Sequence, residues 1–283
     1  ADYCGVHVVT YAILSNHFHV LVRVPCQEAV SDAELMRRYG VLYPIPTAHQ
    51  SARLNVVQSE LACNGPDAMA WRRRQFALMG DISQFMKLVK QRFSIWFNKS
   101  HVRFGTLWAE RFKSVLVDTE DKVLQTMAAY IDLNCVRAGL VTDPKDYRFC
   151  GYAEAVAGIQ AAQAGIRSAI GGRAWGDIQA HYRELIFGTG ADAREAAATI
   201  SVEDLQRVIA EGGTLPLATV LRCRLRYFTD GAVLGSKAFV EVQLAKYRSK
   251  SERREGTGPC LIPAWLNCGD LATLRGLRRR AYG

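Results

Sequence analysis

Two histidines one residue apart, His17 and His19, sit in the apolar run "YAILSNHFHVLV" at residues 11–22. Side chains alternate along a strand, so both imidazoles leave one face with Cα atoms ~6.5–7 Å apart, and Phe18 is expected on the opposite, buried face. Two rings at that spacing can converge on one divalent cation, and an ordinary imidazole is neutral enough near pH 7 to bind it. Half-buried histidines satisfied by hydrogen bonds are the other reading of the same pair. A second pair is Tyr130 and Asn134, one helical turn apart in "YIDLNCVRAGLV" at 130–141. A phenol oxygen can act as a covalent nucleophile, and an amide oxygen is a hard neutral ligand suited to Mg²⁺ or Mn²⁺. A helix that buries a tyrosine and exposes an asparagine is the alternative. Together the four residues could hold a metal with open positions beside a tyrosine.

These residues need a strand and a helix to carry them. Val6–Leu14 and His17–Val24 are rich in Val, Ile, Leu and Tyr and read as strands ended by Pro25. Residues 26–80 read as an elaborated connection: a helix in "SDAELMRRYG" capped by Ser31, a Pro-containing loop "YPIPTAHQ", then more polar helix. Asp81 opens "DISQFMKLVKQRFSIWFNKS", with Ile82, Phe85, Met86, Val89, Phe93 and Trp96 at helical spacing, so Phe93 and Trp96 are expected in the core. "GTLWAERFKSVLVD", from Gly105, alternates like a strand. Asp118 or Thr119 should cap the next helix, which carries Tyr130 and ends at Gly139. Past Tyr152 the text turns Ala/Gly-rich, with "GIQAAQAGIRSAIGG" as a loose linker, and roughly 165–250 should be helical, including "SVEDLQRVIAEGG" and "GSKAFVEVQLAKYR".

The 283 residues carry a net charge of +9, with 49% hydrophobic and 22% charged residues, as in a globular protein. No apolar run approaches the ~20 residues that cross a bilayer, and no secretory signal pattern is present. The chain begins at Ala1 rather than Met, so its start reads as trimmed. Its eight cysteines include no CxxC pair, which argues against a zinc ribbon or redox motif and for reduced thiols. Charge is uneven. Arg222–Gly283 has 13 Lys/Arg against 5 Asp/Glu, whereas Gly151–Leu221 has 5 against 8. A basic tail favours a polyanionic partner, nucleic acid first.

The ordered motifs resemble a known family. "SNHFHVLV" is similar to the His–hydrophobic–His motif of single-tyrosine HUH transposases of the insertion sequence 200/605 type. "YIDLNCVRAGLV" resembles the signature of their REP-associated tyrosine transposase branch, and "GTLWAERFKSVLV" lies between them as a similar segment does in that family. The likeness covers about residues 1–155, interrupted by 26–80. Cys135 stands where the family usually has Pro, and Ser15 where Pro is common. The chain also begins almost at the histidine strand, where members usually have a strand and a helix first.

The resemblance implies that His17, His19 and Asn134 hold Mg²⁺ or Mn²⁺ and that Tyr130 is the nucleophile. The implied activity is a transposase that nicks and rejoins single-stranded DNA at hairpins through a 5′-phosphotyrosine link. It implies a monomer or homodimer, no membrane association, and a cytoplasmic, nucleoid-associated place in a bacterium. Implied too is an α+β fold: a ferredoxin-like antiparallel sheet with the histidines on a central strand and helices on one face. A catalytic domain over 1–155 would then precede a helical, basic accessory region over 156–283. Lys90, Arg92, Arg103, Arg111, Lys113 and Arg137 are candidate DNA contacts, because cations interleaved with aromatics suit phosphate neutralisation and base stacking. Arg137 also falls where it could serve its helix C-terminus. "RCRLRYFTDGAVLGSKAFVE", "KYRSKSERRE" and "RGLRRR" read as accessory DNA-binding text. Two rivals stay open: a domesticated, non-catalytic hairpin DNA- or RNA-binding protein, and a metal-dependent nuclease in which Tyr130 is structural.

Overall fold

The structure is a computed structural model, and it describes residues 1–25, 30–172, 174–188, 210, 216–222, 226–248, 259–263 and 268–274. The fold is α+β. Two compact units divide the chain, one of Ala1–Val8 and Val22–Phe112, the other of Val9–Leu21 and Lys113–Gly283. Among the described residues no helix is long and apolar enough to cross a membrane.

Strands β1 (His7–Ile13) and β2 (Phe18–Arg23) form a two-stranded sheet. The Leu14 amide donates to the His17 carbonyl at 2.8 Å, closing a connection too short for anything but a hairpin. Both strands lie where the β-branched runs predict them.

The first unit is mainly helical. Helix α1 (Asp32–Val41) starts at Ser31, whose hydroxyl accepts from the Glu34 amide at 3.3 Å, as its sequence predicts. Helix α2 (Ala48–Cys63) opens on a capping box between Thr47 and Gln50, and α3 (Pro66–Phe76) places Pro at its start, where the missing N–H costs nothing. Their core gathers Leu35, Tyr39 and Trp71, with Tyr39 and Trp71 edge to face at 5.6 Å. Helix α4 (Ile82–Ser100) begins at Asp81, whose carboxylate accepts from the Ser83 and Gln84 amides at 2.6 and 2.9 Å.

Residues 105–113 form no strand, contrary to their alternation. Trp108 donates through Nε1 to the Lys90 carbonyl (3.1 Å) and the Ser94 hydroxyl (2.9 Å), and Asn98 donates to the Gly105 carbonyl (3.0 Å). Those bonds strap the segment to α4. Only Leu116–Val117 becomes a strand, β3.

In the second unit, α5 (Asp121–Asp132) breaks at Leu133 and resumes as the single turn α6 (Asn134–Arg137), which stops at Gly139 with φ 69°. Neither Asp118 nor Thr119 caps α5: the N-cap is Glu120, without a side-chain bond, and the Asp118 carboxylate accepts from Ser236 instead. Helices α7 (Gly151–Val156), α8 (Gln160–Ile170) and α9 (Trp175–Phe187) follow. Helix α8 occupies the text read as a linker and buries Ile166 and Ala169. After α10 (Leu217–Arg222) come β4 (Val233–Ser236), α11 (Lys237–Arg248), β5 (Pro259–Leu261) and β6 (Leu271–Leu274). The second sheet runs β3-β4-β6-β5, with β3 parallel to β4 and the other pairs antiparallel.

Among the described residues the C-terminal part is mostly helical, as expected, and it also contributes three strands. Among the described residues β2 pairs with β1 alone, so the histidines are not on a central strand of a larger sheet. One hydrophobic core also runs across the boundary expected near residue 155, joining Leu21, Tyr130 and Ile131 to Ile166, Ile178, Phe228 and Leu271. Most of the runs "SVEDLQRVIAEGG" and "KYRSKSERRE", and all of "RGLRRR", lie outside the described residues.

Candidate functional site

The hairpin carries the histidines as its alternation dictates: the rings of His17 and His19 lie 5.1 Å apart at 88°. Two imidazoles bound to one ion at about 2.1 Å per nitrogen, with the N–metal–N angle near 100°, have centroids about 5 Å apart. The centroid separation is the one a shared cation would require. His17 Nδ1 sits 2.6 Å from Asn16 Oδ1, an atom that only accepts, so the proton belongs on Nδ1 and Nε2 keeps its lone pair. Asn16 was not singled out from sequence. Its signal was a short amide directly before the histidine.

Neither face of β2 is uniformly buried: on the histidine face only Leu21 is buried, and on the other Phe18, Val20 and Val22 are all half-buried. Leu21, two residues beyond His19, is 6% exposed and belongs to the core that holds Tyr130. His17 itself is exposed and His19 half-buried.

Tyr130 is 3% exposed. The Arg137 guanidinium lies 3.9 Å from its ring centroid, and the ring of Phe228 lies 4.8 Å away. Arg137 also donates to the carbonyls of Tyr130 (2.5 Å) and Leu221 (2.6 Å). It sits in the last turn of α6, as its helix-end reading expects, and fastens that turn to the backbone at Tyr130 and to α10. Phe228 had no local signal, being 98 positions along the chain from Tyr130.

Asn134 is 9% exposed, and its Nδ2 donates to the Ile131 carbonyl at 2.9 Å and, longer, to Tyr130 at 3.4 Å. With the amide nitrogen turned to its own helix, Oδ1 is the atom able to meet a cation. Among the described residues no group of three or more His, Cys, Asp or Glu is placed to hold a metal.

Between Tyr130 and Asn134 lies Asp132, fully buried. It accepts from the Thr10 hydroxyl (2.7 Å), the Tyr182 hydroxyl (2.6 Å) and the Tyr152 amide (3.3 Å). Burial pushes its carboxyl up to about 7, although those three donors favour the charged form. This network pins α5 to β1, α7 and α9. Gly151 is required there, because a side-chain carbon would collide with the Thr10 hydroxyl and approach its backbone at 3.1 Å. An acid on an otherwise apolar helix face was the signal for Asp132.

The other candidate DNA contacts are more open. Lys90 donates to the Glu110 carbonyl at 2.7 Å and lies 5.1 Å from the Trp108 ring, and Arg92 donates to the Leu42 carbonyl at 2.8 Å. Arg103 lies over Phe97 at 5.9 Å. Arg111 and Lys113 are exposed. Phe93 and Trp96, expected in the core, are 42% and 58% exposed. The six described cysteines are free thiols.

Against models of protein families, curated proteins and solved structures, this chain has no match.

Proposed function

We propose that the chain is a metal-dependent transposase of the single-tyrosine HUH kind, nicking and rejoining single-stranded DNA at hairpin-bearing sequences. The observation that carries this is the 5.1 Å approach of the His17 and His19 rings on the face of β2 whose next residue, Leu21, shares a core with Tyr130. On this reading the hairpin and α5 are the functional part of a ferredoxin-like core. Tyr130 Oη attacks the scissile phosphorus, the bond to the 3′-oxygen breaks, and a 5′-phosphotyrosine and a 3′-hydroxyl result. The phenol proton leaves as the new ester forms, and the departing 3′-oxygen acquires one. Later attack by a 3′-hydroxyl restores the phosphodiester, so one ester replaces another and no nucleotide cofactor is needed. His17, His19 and Asn134 would hold Mg²⁺ or Mn²⁺, which when bound neutralises charge on the phosphoryl oxygens. Asn16 fixes the His17 tautomer, and Arg137 holds the tyrosine in place.

The burial of Tyr130 favours a second reading, a non-catalytic hairpin-binding protein of the same descent. At 3% exposure the tyrosine must be uncovered before a phosphate can reach it. One experiment separates the two. The chain is incubated with labelled hairpin-bearing single-stranded DNA and Mn²⁺, then run on a denaturing gel. The transposase reading expects a covalent adduct that Tyr130→Phe abolishes and His17→Ala reduces at least a hundredfold. Salt-sensitive binding with no adduct supports the second reading, and cleavage to free ends that survives Tyr130→Phe supports a hydrolytic nuclease.

A further inference from the structure

Helix α4 ends in an aromatic face that the site above does not use. Its buried residues, Phe85 and Met86, both lie in the first half, and none from Gln91 to Thr106 is buried. An apolar stripe at positions i, i+3 and i+4 ordinarily faces a core. Here Phe93, Trp96 and Phe97 occupy those positions, and beyond them Phe104 is 93% exposed. The rings brace each other: Phe93 lies 5.6 Å from Trp96 and 5.9 Å from Phe97. On Phe97 the His101 imidazole stacks at 4.0 Å and 18°. That contact shows what the ridge accepts, a flat nitrogen heterocycle laid on a ring.

The charge around the ridge is one-sided. Ile82–Phe112 contains six Lys/Arg and a single acid, Glu110. A helix built to lie in a lipid interface segregates its cations to the face opposite the aromatics. This one sets Arg103 over Phe97 and Lys90 over Trp108. Rings and cations on one surface match a strand whose bases stack while its phosphates are neutralised.

We propose that the C-terminal half of α4 and the loop after it form a stacking platform for unpaired nucleotides of single-stranded DNA. Trp96 and Phe104 take bases, and Lys99 and Arg103 take phosphates. The choice of DNA rests on the function proposed above; the platform itself rests on the exposed rings and their cations.

The test is fluorescence anisotropy of a labelled oligothymidine with the full chain in EDTA. Trp96→Ala and Phe104→Ala should each weaken binding about tenfold, while Trp96→Phe retains it. Lys99→Ala and Arg103→Ala should each flatten the plot of log affinity against log salt by about 0.7. The platform is overturned if the wild-type chain binds no oligothymidine, or if both aromatic variants bind as wild type does. It is equally overturned if Trp96→Ala dissolves a dimer of this chain, or if anionic phospholipid vesicles outcompete the oligonucleotide. Its failure is distinguishable from that of the phosphotyrosine chemistry. Adduct formation with unchanged binding by the variants removes the platform alone, and Trp96-dependent binding by a chain that never forms an adduct removes the chemistry alone.

Discussion

Helices α4 and α5 are both amphipathic by sequence, yet their surroundings differ completely. Of the twelve residues of α5, nine are buried, including an aspartate and a threonine. Helix α4 buries two of nineteen. The 3.6-residue period announces a helix with an apolar stripe; it does not say whether the chain supplies a cover. For α5 the cover comes from Leu21, Tyr182 and Phe228, residues of three separate stretches. Over the second half of α4 no residue is buried, and the segment after it is tied down by side-chain bonds at Trp108 and Asn98. A buried helix is read through its partners, and an open aromatic one through what could come to it.

The contrast can be broken most directly at the cover of Tyr130. Phe228→Ala should cost about 3–5 kcal/mol, because the ring is fully buried and its cavity cannot collapse easily. A urea midpoint within error of the wild type would mean that α5 is not held from that side.

Next in size is the pH dependence set by Asp132. Its carboxyl titrates at about 7 in the folded chain against 3.8 as its ordinary value. A raised folded pKa means that the contribution is whole below about pH 4 and is lost as pH rises through 7, when folding must bury a charge. The loss is on the order of a few kcal/mol at about 1.4 kcal/mol per unit. Thermal unfolding in EDTA should therefore show stability falling from pH 4 to 8 in the wild type and a flatter profile in Asp132→Asn.

Gly151→Ala should cost about 1–3 kcal/mol, since the added carbon drives into Thr10 and loosens its bond to Asp132. The same denaturation series measures it. At the open helix the effect should nearly vanish. Trp96→Ala should move stability by less than about 0.5 kcal/mol, the usual range for a surface position. A large loss there would show that the aromatic face is covered after all.

Much of the fold is legible residue by residue. The two strands, the caps at Ser31 and Asp81, the stop at Gly139 and the shared face of His17 and His19 follow from alternation, capping chemistry and backbone freedom within a few positions. Those forces act locally, so the sequence determines them wherever the chain goes. What surrounds each element is set by residues far away. Thr10 reaches Asp132 across 122 positions and Arg137 reaches Leu221 across 84. Only the tertiary structure could bury an acid between the tyrosine and the asparagine, and tie Arg137 to the backbone at Tyr130 and Leu221. It also tied residues 105–113 to α4, although their alternation reads as a strand. A strand requires a partner edge as well as a pattern, and in this segment side-chain bonds from Trp108 and Asn98 hold the backbone elsewhere.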